Sequence, residues 1–513
     1  MGEQVGPESN RVLSIVVDGK ATTLTFVPTS GSITVTSGKK RSSQLTARDV
    51  LWTEVEEGKV EFSCVLRDSK RRGSLVCLEG TLGTDDKGSA SQWCEDVLQA
   101  AYAGVKRRPR FNIVINPHGG QGKARSIWTK KVEPIFKAAR CTYDVIITEY
   151  SKHACEIAKN MKLDCYDAVV ILSGDGLIHE IINGFAEHED SKKAFAIPIA
   201  PIPTGSGNGT SINILGLEDG FDVHIASLNA LKGKPMKADV SALTQGGKRV
   251  LSYMTQAVGL MAELDVGTEN LRWMGDTRFM VGFLRGLIYM NPCPITVSMK
   301  VADQDKPRMA AALRASRPAD LEDQAKSASE PNGIYQNGHT DAPPTPSFGG
   351  EIDEDGWLTF DKPFLFLYAG KGPYVGRDLM QFPVSLASDG LIDIVLQELT
   401  SRAELLRAID GGEKGTPYWM NSSHYFKAHA YRVAPHSDKG LLTVDGESYP
   451  FEPYEVEVLP GLATFLSPTG RYASDFDFGK DRLPVQVETK PIEKSKEAEG
   501  SGPFHDLFRC CFP

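Results

Sequence analysis

Between Phe111 and Gly209 short apolar runs alternate with turns and amphipathic segments. FNIVINP leads into HGGQGK and ARSIWTKKVEPIFKAA, TYDVIITEY into SKHACEIAKNMK, YDAVVIL into SGDG and LIHEIINGFAEH, and AFAIPIAPIP into TGSGNG. Strands that alternate with helices in this way build right-handed βαβ units, and the result is a parallel sheet covered on both faces. Ligands of such sheets bind outside the carboxyl ends of the strands. Three glycine loops, 119–122, 174–176 and 205–209, fall at that edge.

The strict nucleotide fingerprints fail on these loops. A Walker A loop needs Gly at 117 and Ser or Thr at 124, where this chain has Pro117 and Ala124. Gly205 and Gly207 begin a GxGxxG pattern, but Thr210 replaces its third glycine. The shared physical requirement survives: glycines let backbone N–H groups approach an anion at a helix N-terminus. Each loop alone also fits a tight βα turn, and the three together imply a triphosphate cradle. Asp175 and Gly176 could form a hairpin turn. The apolar positions that follow, 177, 178, 181, 182 and 185, have helical spacing, so no strand returns. A carboxylate beside a phosphate cradle is placed to take a proton from an incoming hydroxyl.

Elsewhere the pattern changes. With 513 residues the chain exceeds one compact core and implies roughly two to four units. Residues 1–105 carry short alternating runs and then one amphipathic segment, SQWCEDVLQAAYAG, an order that resembles a small pleckstrin-homology-like (PH-like) β domain. KRRPR at 106–110 reads as a basic linker into an α/β ATP-binding domain, 106–236. Residues 237–470 are rich in long strands, RVLSYMTQAVGLMAEL among them, and form a mostly antiparallel domain. The segment 303–352 interrupts it, too poor in large apolar groups to order itself, and a polar tail fills 471–513. A net charge of −9 argues against nucleic acid as a partner, and no run reaches the roughly 18 apolar residues of a membrane span. Nine cysteines without a CxxC, and no secretory leader, fit a reducing cytoplasmic compartment.

NPHGGQGKA (116–124), SGDGLIHEIINGF (173–185), PTGSGNG (203–209) and VDGE (444–447) resemble the motif set of the sphingosine kinases, or sphingoid long-chain base kinases, of the diacylglycerol kinase catalytic-domain superfamily. The related diacylglycerol and ceramide kinases usually carry GGDG, so Ser173 before GDGLIHE points to the sphingoid-base branch. The resemblance implies an α/β nucleotide domain like those of phosphofructokinase and NAD kinase, followed by an antiparallel β-sandwich-like lipid domain. It implies ATP and Mg2+ as cofactors and a sphingoid long-chain base as substrate, phosphorylated on its primary hydroxyl.

Carried over by motif, the resemblance places Asn116, Pro117, His118, Gly119, Gly120, Gly122 and Lys123 at the nucleotide, with His118 where many members have Arg. Thr148, Glu180, Gly205, Ser206, Gly207 and Asn208 join them. So do Arg272 and Arg278, which otherwise read as a solvated helix face, and Asp445, Gly446 and Glu447, which also read as a hairpin turn. Asp175 matches the general base, flanked at the substrate by Ser173, Gly174 and Gly176. Asp265 matches the acid that recognises the sphingoid amine, although it also fits a helix N-terminal cap with Thr268. No carboxylate cluster marks a metal site. A diacylglycerol or ceramide kinase is disfavoured by Ser173 and Asp265, since neither lipid has a free amine. A catalytically silent membrane adaptor would lack the base or a glycine loop, and the chain keeps both.

A lipid substrate implies a peripheral membrane encounter. MGEQVG is not a myristoylation signal, because Gly6 stands where Ser or Thr is needed. In FHDLFRCCFP, Phe504, Leu507, Phe508 and Cys511 share a helical face, and Cys510 and Cys511 are candidates for S-acylation. APPTP at 342–346 reads as a proline-directed phosphosite, and a homodimer is left open.

Overall fold

The computed structural model describes residues 10–38, 41–68, 70–83, 87–119, 122–268, 277–317 and 350–476. Seven antiparallel strands, from Arg11–Val17 to Gly73–Leu82, form a first sheet in the order fourth, third, second, first, seventh, sixth, fifth. Within Lys20–Val27 the buried positions are Thr22, Leu24 and Phe26, the period-two alternation of a sheet packed on one face. Helix Lys87–Ala101 covers that face with Trp93, Val97 and Leu98. Burying a Val or Leu side chain contributes about 1.5–3 kcal/mol. The basic linker is pinned at both ends: Arg107 lies 2.8 Å from Glu95, Lys106 2.8 Å from Asp167 and Arg110 2.9 Å from Asp144. Exposed pairs contribute only about 0–1 kcal/mol each, so they orient the linker more than they stabilise it.

The α/β unit has four parallel strands in the order Thr142–Ile147, Arg110–Ile115, Ala168–Ser173, Ile199–Pro203. All six residues of Ala168–Ser173 are buried, as a strand covered on both faces requires. Helix Asp175–Ala186 buries Leu177, Ile178, Ile181, Ile182 and Phe185, the positions whose spacing predicts it. Strand order reverses between Arg110–Ile115 and Ala168–Ser173, so the loops after these two strands flank the crevice where such sheets bind ligands.

Downstream the sheet does not stop. Lys234–Gln245 runs antiparallel to Tyr454–Ser467, from Lys234 beside Ser467 to Thr244 beside Glu455, and Phe465 pairs in parallel with Ile199. One sheet of 16 strands therefore spans both units. The expected boundary at 236/237 falls inside strand Lys234–Gln245, which pairs antiparallel with Tyr454–Ser467 on both sides of it. The expected long strand RVLSYMTQAVGLMAEL is in fact strands Lys248–Ser252 and Thr255–Gly259 followed by helix Leu260–Gly267. Gly259 makes the break at φ +73°, a conformation L side chains rarely adopt.

Under this antiparallel part lies an ionic knot. Lys371 Nζ is 2.6 Å from Asp389 and 3.2 Å from Asp239, while Lys427 Nζ is 2.7 Å from Asp389 and 2.9 Å from Asp393. All five side chains are buried. Burial pushes the Asp389 pKa up, but Lys371 and Lys427 outweigh it and hold the carboxyl below its ordinary range.

Two expectations of disorder are corrected. Within 303–352, Lys306–Ala315 is a helix: Asp305 caps it by accepting from Arg308 N at 2.8 Å, and Met309, Ala310 and Leu313 are buried. A single apolar stripe is enough to dock a well-capped helix, despite the polar composition around it. The tail also stays attached through residue 476, where Phe476 is buried and stacks on Trp419 with ring centroids 6.1 Å apart.

Candidate active site

The site is built by two loops in backbone contact. A Cβ on Gly205 would stand 2.3 Å from Gly174 Cα, and one on Gly174 would stand 2.7 Å from Gly207 O. Both positions therefore need glycine for packing of loop on loop, before any ligand is considered. Asn208 closes the second loop, its Nδ2 donating to Gly205 O and its Oδ1 accepting from Gly205 N, both at 3.1 Å.

This contact carries helix Gly209–Asp219 onto Asp175. Gly209 N donates to Oδ2 at 2.9 Å, and Thr210 donates to Oδ1 from its backbone at 3.0 Å and its hydroxyl at 2.7 Å. Tyr253 OH donates to the Asp175 carbonyl at 3.0 Å and lies 3.0 Å from Thr210 Oγ1. Withdrawal from water raises the Asp175 pKa, and Asp445 adds to this. The Thr210 and Gly209 hydrogen bonds oppose the rise, and the net direction is upward. Neutral donors alone surround this carboxylate in these bonds. The first amides of helix Gly209–Asp219 are thus taken by Asp175, while Gly205 to Gly207 ahead of them line the cleft. The first turn of helix Asp175–Ala186 opens on the cleft as well, where helix-end amides lack intrahelical partners.

Asp445 and Gly446 have φ of 50° and 83° and join Leu442–Val444 to Glu447–Tyr449 as a two-residue hairpin. The Asp445 carboxylate turns inward. Oδ1 accepts from Ser252 Oγ at 2.8 Å, Met254 N at 3.1 Å and Thr255 N at 2.9 Å. Oδ2 accepts from Tyr253 N at 3.1 Å and lies 2.8 Å from His179 Nδ1. Burial lowers the His179 pKa, but Asp445, with Glu447 and Glu180 beyond it, reverses the sign and raises it. Asp445 therefore ties the helix that begins at Asp175 to the second unit, with its carboxylate committed to protein donors.

A cleft of about 1010 Å³, open to solvent, gathers most of the expected residues. Asn116 and Gly119 line it, as do Ser173 to Gly176, Glu180 and Gly205 to Gly207. From the second unit come Asp265 and the hairpin 445–447. Glu180 also accepts from Ala154 N at 3.0 Å. Pro117, His118, Gly122, Lys123, Thr148 and Asn208 are not among the lining residues. Asn116 Oδ1 accepts from His118 N and Gly119 N at 3.0 and 3.1 Å and curls the loop, leaving His118 exposed. Thr148 is buried against Ile115 O. Gly120, Arg272, Cys510 and Cys511 lie outside the described residues, as does the side chain of Arg278.

A second hollow, open to solvent and with about 1040 Å³ of empty space, adjoins the cleft and is walled by Met261, Leu264, Phe283, Phe366, Leu405 and Ile409. Asp265, Tyr368 and Val375 belong to both. Asp265 stands in the last turn of helix Leu260–Gly267, so it is no N-cap, and its Oδ2 accepts from Thr443 Oγ1 at 3.1 Å.

Residues 110–243 match the diacylglycerol kinase catalytic domain and 353–467 the YegS C-terminal NAD kinase beta sandwich-like domain. Sphingoid long chain base kinase 4 of Schizosaccharomyces pombe is 33% identical over 446 residues, 85% of this chain and 90% of that protein. The chain belongs to the sphingoid long-chain base kinase family. Sphingoid long chain base kinase 5 of Saccharomyces cerevisiae is 31% identical over 75% of this chain and 63% of its own length. Sphingosine kinase 1 of Arabidopsis thaliana is 28% identical over 90% of this chain and 96% of its own.

In this sphingoid long-chain base kinase the motifs missed the residues that hold Asp175 in place. Thr210 stood out only as the position that breaks GxGxxG, and Tyr253 and His179 carried no motif. The apolar walls come from four separate stretches of chain, which no local pattern joins. One signal was available: His179 lies on the buried face of an otherwise apolar helix, where an imidazole needs a polar partner.

Proposed function

We propose that the chain transfers the γ-phosphoryl group of ATP to the primary hydroxyl of a sphingoid long-chain base such as sphingosine, dihydrosphingosine or phytosphingosine. The observation that carries this reading is Asp265, on the wall shared by the cleft of Asp175 and the apolar hollow. A substrate with an ammonium between its hydroxyl and its chain satisfies all three at once. The ammonium pairs with Asp265, the hydroxyl meets Asp175, and each methylene buried in the hollow contributes about 0.8 kcal/mol.

Asp175 takes the hydroxyl proton as that oxygen bonds to the γ-phosphorus. The bond to the bridging oxygen breaks, and ADP leaves with its electron pair. Base assistance contributes typically ~10²- to 10⁴-fold. Amides at the start of helix Asp175–Ala186 and in the loop of Ser206 and Gly207 offset the charge on the phosphoryl oxygens; Arg272 and Arg278 are assigned to the same task on the family resemblance. Among the described residues no three His, Cys, Asp or Glu side chains form a metal cage. Mg2+ carried by phosphates needs only one or two carboxylates, and Glu447, exposed at the cleft edge, fits that role. Bound there, it would neutralise phosphate charge.

Labelled ATP offered with sphingosine, diacylglycerol and ceramide tests the assignment. Label should enter sphingosine, and preferential labelling of either other lipid would overturn it.

We also propose that the protein is cytoplasmic and meets membranes peripherally. Helix Thr277–Tyr289 exposes Val281, Leu284, Ile288 and Tyr289 at 44, 47, 65 and 65%, while its Phe283 lines the apolar hollow. Among the described residues no helix is long and apolar enough to cross a membrane. The double substitution L284D and I288D should abolish sedimentation with lipid vesicles, and full retention would refute this surface. Acylation of Cys510 and Cys511 would add a second anchor, read as hydroxylamine-sensitive membrane release. The seven-strand sheet closed by a C-terminal helix supports a PH-like reading of residues 1–105.

A further inference from the structure

Where the N-terminal sheet, the α/β unit and the chain beyond Tyr454–Ser467 meet, they enclose a cavity of about 1460 Å³, open to solvent and distant in role from the cleft. Four arginines line it: Arg48 from the helical turn Ala47–Asp49 and Arg67 from strand Lys59–Arg67 of the N-terminal unit, Arg317 after helix Lys306–Ala315, and Arg471. Arg67 is neutralised by Asp219, which takes both of its terminal nitrogens. Arg317 donates to Ser474 O at 2.8 Å and Arg471 to Ser316 O at 3.2 Å, contacts that fix where these side chains sit. Arg48 donates no hydrogen bond to any described residue, and burial lowers its pKa with only Asp49 opposing. Asp49 is itself occupied, accepting from Thr46 N and Thr46 Oγ1 at 2.8 Å each. The remaining acid, Asp475, is exposed. Partly buried cations without a carboxylate partner are costly, and among the described residues Arg48 and Arg471 are two cations of that kind lining one cavity.

The geometry points to a second anion site, one that holds a phosphate-bearing ligand between the N-terminal sheet and the kinase body through Arg48 and Arg471. Guanidinium forks match phosphate oxygens in pairs, which lysines would not do. Ile214, Leu215, Leu313 and Leu386 supply an apolar floor, so a phosphate monoester with a carbon body fits as well as free phosphate. Helix Gly209–Asp219 connects this cavity, at Asp219, with the carboxylate of Asp175 at its other end.

The test uses the full chain with the cleft of Asp175 saturated by a non-hydrolysable ATP analogue, so that the proposed nucleotide site is blocked. Calorimetric titration with inorganic phosphate and with glycerol 3-phosphate should show saturable binding. Arg48→Gln and Arg471→Gln should each weaken it about ten-fold or more, the share of one charge-assisted hydrogen bond. Their melting temperatures without phosphate should stay near wild type, since neither side chain is ion-paired among the described residues and the only hydrogen bond lost there is that of Arg471 to Ser316 O. Vesicles of phosphatidylcholine doped with phosphatidic acid form the lipid arm. Binding there that the same variants weaken identifies a headgroup, and binding of the soluble ligands alone identifies free phosphate. Should a variant fail to fold, phenylglyoxal modification of wild type replaces it, with phosphate expected to protect Arg48 and Arg471. Absence of saturable binding, binding indifferent to both substitutions, or lack of protection overturns the proposal.

Discussion

Two Asp-Gly pairs in this molecule share a sequence and differ in everything around it. Asp175 precedes Gly176 at the cleft, and Asp389 precedes Gly390 inside the ionic knot. Asp175 accepts hydrogen bonds from two backbone amides and a hydroxyl, all neutral, and its pKa is raised. Asp389 meets two ammonium groups at 2.6 and 2.7 Å, and its pKa is lowered. Neutral donors orient a carboxylate and leave its charge available, whereas buried cations consume that charge. A proton acceptor has to be of the first kind. The second kind welds strands together. The comparison assigns opposite outcomes to substitutions at the two places.

Asp175→Asn should give the largest effect. The amide keeps the shape but cannot take a proton, so turnover should fall ~10²- to 10⁴-fold. One of the three hydrogen bonds becomes a donor facing a donor, a loss of about 1 kcal/mol in stability. Steady-state kinetics beside urea unfolding separates the two. A variant that loses several kcal/mol while turning over normally per folded molecule would make Asp175 a helix cap and nothing more. Lys427→Met should do the reverse. Removing one cation leaves Asp389 and Asp393 under-neutralised in a dry interior, at about 3–5 kcal/mol of stability. Whatever remains folded should keep its turnover. The Asp389 carboxyl has its pKa depressed in the folded state, so its stabilisation is present above the ordinary carboxylate pKa and disappears as pH falls through the depressed value. In Lys427→Met that acid-dependent part should shrink, which unfolding measured across acidic pH reads directly.

The contrast also explains which parts of the molecule were legible in the sequence. Ala168–Ser173 and the helix after it could be read because burial on both faces demands a continuous apolar run, and burial on one helical face demands the spacing of 177, 178, 181, 182 and 185. These are local demands. The partners of Asp175 lie 34 and 35 residues away and those of Asp445 about 190 to 266 away, so no window contains both ends. For the same reason the motif VDGE does not reveal that the Asp445 carboxylate faces inward while the hairpin 445–447 still lines the cleft. The knot had one local signal. Lys371 follows the buried strand Phe366–Gly370 and Lys427 lies within Ser423–Pro435, and a lysine in an apolar strand needs a carboxylate that the sequence must provide elsewhere. The stretch SDGLID, residues 388–393, supplies it twice, at Asp389 and Asp393.

Asp265 lies between these extremes, half-buried, accepting from the Thr443 hydroxyl and facing a cavity. If Asp265 receives the substrate's ammonium, Asp265→Ala should raise KM for the sphingoid base by about ten- to a hundred-fold, the equivalent of a charged hydrogen bond of about 1.5–3 kcal/mol. KM for ATP should stay within a few-fold. Equal changes in both constants would place Asp265 with the structural carboxylates.

The smallest effect tests the sign of the argument. Thr210 Oγ1 donates to Asp175 Oδ1 at 2.7 Å and so lowers a pKa that burial raises. Thr210→Val keeps the shape and the backbone amide but deletes that donor. The folded-state pKa of Asp175 should then climb further. A base must be ionised to act, so turnover is lost as pH falls through this pKa, and the acidic limb of the pH–rate profile should move upward. A hydrogen bond of about 0.5–1.5 kcal/mol corresponds to roughly half to one pH unit. Turnover on the alkaline plateau should change little, because the ionised carboxylate keeps both amides. A limb that moved downward, or stayed in place while the plateau fell, would mean that Asp175 is not the group titrating in the rate.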